Sequence, residues 1–536
     1  MPARPPASPD VKLGTQEAGT PWAQQFLLFA LFFAALMLLH APLLRLPYFW
    51  DEAGYYIPAA RDLYLTGTLI PHSTPSNAHP PLVMATLAMA WRVAGFSALV
   101  TRTVMVALAA FSLLGLFRLA RYASNVQVAW ATTVCAALYP VFFTQSSLAQ
   151  VDLPTAGFTF WAVLAYLEDR PGKQALWFSL AALTKETAIL APLALFAWEI
   201  VAQFARPQWD EVLPPAGRRT RASHLLLPVV PLACWYGFHF AKTGYLFGNP
   251  EFFRYNVAAT LSPLRIPLAL GLRLWQVFGY FGLYLLSLAG LLAMFRRPQV
   301  SSRDARPRIP FWMQTVFLVV LLAYLAFMSV VGGAVLARYM LPVTPLVTLV
   351  LISTLWRRLR FWKLVAAVVA IAFAAGLFTN PPYGFSLEDN LAYRDYIVQH
   401  AEASRFLALR FPRARVLTAW PASDELTRPW LGYVAQPFRV VRLEDFTFPQ
   451  IALASAANGQ FDVALVFSTK YEPAHPILEN WDWWQRIKER YFGYHRDLRP
   501  GEIAQRLGGT VLFHKETDGQ WVAVIAVDRE ENAAQR

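Results

Sequence analysis

What most constrains this chain is the recurrence of apolar runs of about twenty residues, the length a helix needs to cross the hydrocarbon core of a bilayer. The first occupies residues 22–44, and similar runs return until 361–378. Lipid offers the backbone no hydrogen-bond partners, so every run that crosses must be a helix. With 56% hydrophobic and only 15% charged residues over 536 positions, the chain is too apolar for a soluble enzyme and is a polytopic α-helical membrane protein. Its net charge of +13 would suggest nucleic acid in a soluble chain. Here the arginines flank the apolar runs, as at Arg206, Arg218, Arg219 and Arg221, at Arg296 and Arg297 with Arg303, Arg306 and Arg308 beyond, and at Arg357, Arg358 and Arg360. The positive-inside rule accounts for them, and nucleic acid is not an expected partner.

Placing those basic loops in the cytoplasm predicts about eleven transmembrane helices with the N-terminus inside. Residues 1–20 read as a disordered cytoplasmic tail, 21–380 as a transmembrane catalytic domain with an outer loop at 45–97, and 381–536 as a soluble extracytoplasmic domain. Within the outer loop, 53–66 has the spacing of an amphipathic helix on the membrane surface. The apolar stretch 79–96 is short and contains Arg92; if it crossed, later basic loops would change sides, so it is read as interfacial. In 381–536, helical patterns at 390–409 and 479–491 alternate with strand-like runs at 415–418, 438–442, 462–467, 510–514 and 521–527, which predicts a small α/β domain. Trp481, Trp483 and Trp484 in it are either core or a sugar or lipid contact, core being favoured. Cys135 and Cys234 lie inside apolar runs and read as packing residues, with neither a disulfide nor a metal cluster expected.

The outer loop carries the chemistry. It contains WDEAGYYIPAARDLYLTG and, further on, HPPL at 79–82. Asp51 and Glu52 emerge just beyond the first span, where unpaired charge is costly, so an acidic pair is a candidate site; the plainer reading is that Asp51 N-caps the helix that follows. The two motifs together resemble the first extracytoplasmic loop of the GT-C glycosyltransferases, specifically the family 39 group of protein O-mannosyltransferases and aminoarabinose transferases. The resemblance spans roughly 22–379. It implies a GT-C fold and transfer of a sugar from a polyprenyl-phosphate carrier to a lipid, glycan or protein acceptor. Aminoarabinose transferases carry a lysine, preceded by an acid, at the HPPL position. Here His79 follows Ala78, and the histidine matches the protein mannosyltransferases.

The expected reaction is an inverting displacement in which a carboxylate deprotonates the acceptor hydroxyl while cations stabilise the departing phosphate. Asp51 is assigned as base on the family's key acidic position, with Glu52 orienting it or binding acceptor and Asp152 as a further catalytic carboxylate. His79, Arg254, Arg338 and Lys185 are expected to bind the donor phosphate, and Tyr55, Tyr56, Glu186 and Tyr339 to line the substrate site. Each has a plainer alternative: Asp152 as an N-cap, Lys185 with Glu186 as a mutual surface pair, and Arg338, in a sequence resembling the family's RYxLP, as a snorkelling interfacial cation. No metal ligand is assigned and a divalent metal is left open as cofactor. The expected location is the bacterial inner membrane, with the site and the C-terminal domain extracytoplasmic. Two other functions compete. A secondary transporter would place its ionisable residues at midplane in paired repeats, and no repeat is evident; a membrane-anchored binding protein would not need so many spans.

Overall fold

The computed structural model describes residues 22–205, 212–213, 222–301, 304–478 and 480–527. The tail expected at 1–20, most of the basic loop with Arg206, Arg218, Arg219 and Arg221, and Arg303 lie outside the described residues.

Among the described residues, six helical stretches are long and apolar enough to cross a membrane: Trp22–Leu43, Ala98–Ala123, Glu186–Phe204, Ala222–Thr243, Arg265–Met294 and Phe311–Val330. The other expected spans appear as shorter or broken helices. Pro140 divides one of them into Val126–Leu138 and Pro140–Gln145, with Tyr139 extended at ψ 123°, because a residue before proline avoids the helical region. A second break falls inside Arg265–Met294, where Phe281 and Gly282 take φ of 46° and 87°. Another apolar stretch begins with a tight 3-10 turn, Ala337–Met340, before Thr344–Arg358. Irregular backbone at membrane depth survives only where protein or a wet cavity surrounds it: the break at Pro140 is buried in protein, and the other two adjoin, through Tyr280, Arg338 and Tyr339, the cavity described below. The helix Leu82–Ala94 has 13 residues, about 20 Å at 1.5 Å per residue, too short to cross and in keeping with an interfacial placement. Of the cysteines, Cys135 is buried, but Cys234 is exposed, so only Cys135 packs as expected.

The C-terminal region is the expected α/β unit. Strands β1 (Arg415–Ala419), β2 (Arg439–Leu443), β3 (Val463–Phe467), β4 (Gly509–Thr517) and β5 (Gln520–Val527) form one sheet in the order β2-β1-β3-β5-β4. β1 runs parallel to β2 and β3, while β5 is antiparallel to β3 and β4. The alternation of strands β1–β3 with helices Ala422–Thr427 and Phe448–Ala456 suits parallel pairing, and the two-residue turn Asp518–Gly519 suits the final hairpin.

One core joins this unit to the loop that follows the first apolar helix. Tyr48, Phe49, Ala53 and Ile57 from the loop pack in the same apolar cluster as Leu417, Ala464 and Tyr396. Tyr433 donates to the Tyr48 carbonyl (3.1 Å) and Tyr48 N–H to that of Leu431 (3.2 Å). The loop is therefore a structural part of the C-terminal unit, although more than three hundred residues separate them in the chain.

Candidate functional site

A cavity of about 2030 Å³ lies between the helices and the C-terminal unit, lined by Asp51, Tyr55, Tyr56, His79, Lys185, Glu186, Arg338, Tyr339, Glu388 and Asp389 among others. Its centre is Arg338, 2% exposed. The guanidinium donates to Asp51 (2.5 Å), to Glu388 (2.5 Å) and to the Gln150 side-chain carbonyl (2.6 Å), and its Nε lies 3.1 Å from Asp152. Lys185 donates to the other oxygen of Asp152 at 2.6 Å. Arg338, Lys185 and Arg273 all stand beside the Tyr339 ring, at 5.6, 3.8 and 5.5 Å from its centre. The snorkelling alternative for Arg338 is overturned: its charge is turned inward and bound on each side.

The acidic pair divides. Glu52 is completely buried, bound by both terminal nitrogens of Arg102 and by the backbone N–H groups of Phe49 and Ala149. Successive side chains in a helical turn point about 100° apart, so anchoring Glu52 inward leaves Asp51 facing the cavity with 34% of its side chain exposed. Asp51 makes no cap hydrogen bond, which removes the N-cap alternative. Glu52 does not line the cavity, and the place expected for it there is not where its carboxylate lies. The preceding Trp50, at φ 41°, is held in the left-handed region by rings of Tyr396 and Trp420 at 5.7 and 5.3 Å; Gly54 is small enough for Trp420 to lie against it.

The remaining expected residues sort by geometry. Asp152 opens helix Asp152–Leu167 without capping it, its carboxylate being spent on Lys185 and Arg338. Lys185 and Glu186 are not a mutual pair: Glu186 instead meets His79 Nδ1 at 3.0 Å. His79 sits among Tyr55, Tyr56 and Phe252, with ring centres 5.5–5.8 Å away, and Trp235 fixes the turn before it by donating to the Ala78 carbonyl. Arg254 departs from expectation. It is exposed, and its helix Pro250–Asn256 turns Phe252, Phe253 and Tyr255 to the cavity instead.

Sequence reasoning missed Glu388 and Asp389. They stand in the turn Leu387–Asp389 between the last apolar helix and the C-terminal unit. Glu388 takes hydrogen bonds from Arg338 and Gln150, and Asp389 takes one from Tyr280 at 2.6 Å. Burial pushes Asp389 up to about 7, and the neighbouring Glu388 adds to the shift. Burial also raises Glu388, against the pull of Arg338. The signal was present: Glu388-Asp389 is a second pair of adjacent acids close to the end of an apolar run. Among the described residues, no group of three or more His, Cys, Asp or Glu is arranged to hold a metal ion.

A helical membrane body with broken helices around a charged cavity, closed by a small sheet domain, defines a GT-C type architecture. Residues 78–235 match the family described as dolichyl-phosphate-mannose-protein mannosyltransferase. The structure is similar to that of ArnT from Cupriavidus metallidurans bound to undecaprenyl phosphate, with a TM-score of 0.52 and 13% identity over 96% of this chain and 100% of that one. The same enzyme in its apo state gives 0.51 and 14% over 94% and 98%. No curated protein sequence matches the chain. The fold is thus that of the membrane glycosyltransferases the loop motifs resemble, and the chain is an integral membrane protein.

Proposed function

We propose that the protein transfers a sugar from a polyprenyl-phosphate donor to a hydroxyl acceptor on the extracytoplasmic side, by a single inverting displacement with Asp51 as base. The observation that carries this reading is the partial exposure of Asp51 to the cavity while Arg338 holds it. The acceptor oxygen attacks the anomeric carbon and yields its proton to Asp51 as the bond to the phosphate oxygen breaks. Negative charge gathering on the phosphate is met by Lys185 and Arg338, with His79 on the same wall, in a site where fixed cations act strongly. Asp152 and Glu388 keep Arg338 in place, and Glu52 serves indirectly by fixing the turn that aims Asp51. Tyr55, Tyr56, Glu186 and Tyr339 shape the walls. An undecaprenyl phosphate is bound by the similar ArnT, which supports a lipid-phosphate donor here; the family match over 78–235 supports a hexose.

The test is transfer of radiolabelled sugar from a panel of polyprenyl-phosphate sugars by the purified protein in lipid. Transfer from at least one donor, abolished in Asp51→Asn, is expected. An undiminished rate in that variant would remove Asp51 from the chemistry, and no transfer from any donor would remove the reading.

A further inference from the structure

The helix Asp482–Phe492, sequence DWWQRIKERYF, has two opposed faces and buries no residue completely. Trp484, Lys488 and Phe492, four residues apart and so on one side, line the cavity. On the other side Trp483, Arg486 and Arg490 are exposed. Trp483 is 49% exposed, Trp481 just before the helix 48%, and Ile477 61%, so these tryptophans are not the core residues expected. A surface of paired indoles beside arginines is poorly suited to water.

Its level relative to the membrane is marked by Arg265, which opens the long apolar stretch Arg265–Met294. The Arg265 Nε donates to the Tyr491 carbonyl at 3.0 Å, and its guanidinium lies 5.5 Å from the Phe492 ring. The helix is therefore tied to the end of a membrane-spanning segment, where hydrocarbon gives way to headgroups. Leu261 and Leu264, just before that segment, are exposed as well. Tryptophan is favoured at this boundary, and arginines on an amphipathic helix meet lipid phosphates there.

We propose that Asp482–Phe492 is an interfacial helix whose Trp481 and Trp483 edge is seated in the headgroup layer of the bilayer while its opposite face roofs the cavity. The C-terminal unit is thereby moored to the membrane at a second point, far in sequence from the last span, and the lipid surface sets the height of the cavity roof.

The experiment places a nitroxide at Trp483→Cys, and separately at Trp481→Cys, neither of which lines the cavity, in the full chain carrying Cys234→Ser, with Cys135 buried. The reference is Leu409→Cys, exposed beside the Arg415 end of β1; the other end of that strand leads into Trp420 at the cavity. In nanodiscs of mixed zwitterionic and anionic lipid, relaxation by oxygen relative to a water-soluble nickel chelate is expected to be several-fold higher at 483 and 481 than at 409. Equal accessibility to the chelate at all three positions overturns the proposal. So does protection from both reagents, which would mean that protein covers this face. If Trp483→Cys does not yield folded protein, the label at 481 decides.

Discussion

Two pairs of adjacent acids approach the same guanidinium from opposite ends of the chain, and they are completed differently. In the first loop, Asp51 meets Arg338 while Glu52 is saturated by Arg102 and two backbone N–H groups. In the turn before the C-terminal unit, Glu388 meets Arg338 while Asp389 takes a hydrogen bond from Tyr280 and, among the described residues, has no ion pair. A buried carboxylate with a full set of donors is an anchor; one without a cation is pushed toward its neutral form. The first pair is built to hold the backbone so that one oxygen faces the cavity. The second is built around a group that titrates near neutrality.

The comparison is broken most sharply at Asp51. Asp51→Asn should lower transfer by about 10²–10⁴-fold with little change in thermal unfolding; a loss of stability without loss of rate would make Asp51 an anchor like Glu52. Glu52→Ala should show the reverse emphasis. Leaving Arg102 buried and unpaired should cost about 3–5 kcal/mol, read as a lowered unfolding temperature, and replacing both partners by methionine should recover much of it. A Glu52→Ala protein of wild-type stability would contradict the anchoring role.

Asp389 predicts a pH dependence. Its folded carboxyl titrates at about 7 instead of near 3.8, so below pH 4 both states are protonated and the group contributes nothing. As pH rises from 4 to 7 the unfolded chain ionises first and stability falls; above 7 the loss is complete and the curve flattens. At about 1.4 kcal/mol per pH unit, the full window is worth about 4 kcal/mol. Unfolding temperatures across this range should slope downward in the wild type and lose that component in Asp389→Asn. The smallest effect is expected from Tyr280→Phe: loss of a donor to the ionised carboxylate should move the upper end of the window to higher pH, with a stability change of about 1 kcal/mol.

Much of the architecture was legible because the signals are local. Apolar runs identified the membrane class, alternation located all five strands of the sheet to within a few residues, and the loop motifs pointed to Asp51 and His79 while the expected topology added Lys185 and Arg338, all of which the structure gathers at one cavity. Helix breaks were less legible: Pro140 was visible, but the left-handed turn at Phe281 and Gly282 depends on what packs around it. Arg254 was misplaced because a seven-residue helix can turn any of its sides inward, and the three aromatics on it, Phe252, Phe253 and Tyr255, did not reveal which. Glu388 and Asp389 were passed over because, read alone, two acids in a polar linker look solvated.

Composition, hydrophobic period and the loop motifs determined by themselves that this chain would be a helical membrane protein with a sheet-containing end and a charged loop after its first span, since each follows from how neighbouring residues meet lipid or water. Only tertiary structure decided which carboxylate meets which cation. Arg338 and Asp51 are 287 positions apart, and no property of either stretch specifies that contact. It arises because the loop after the first span and the C-terminal unit share one apolar core, and burying that core brings Asp51 and Glu388 to the same guanidinium.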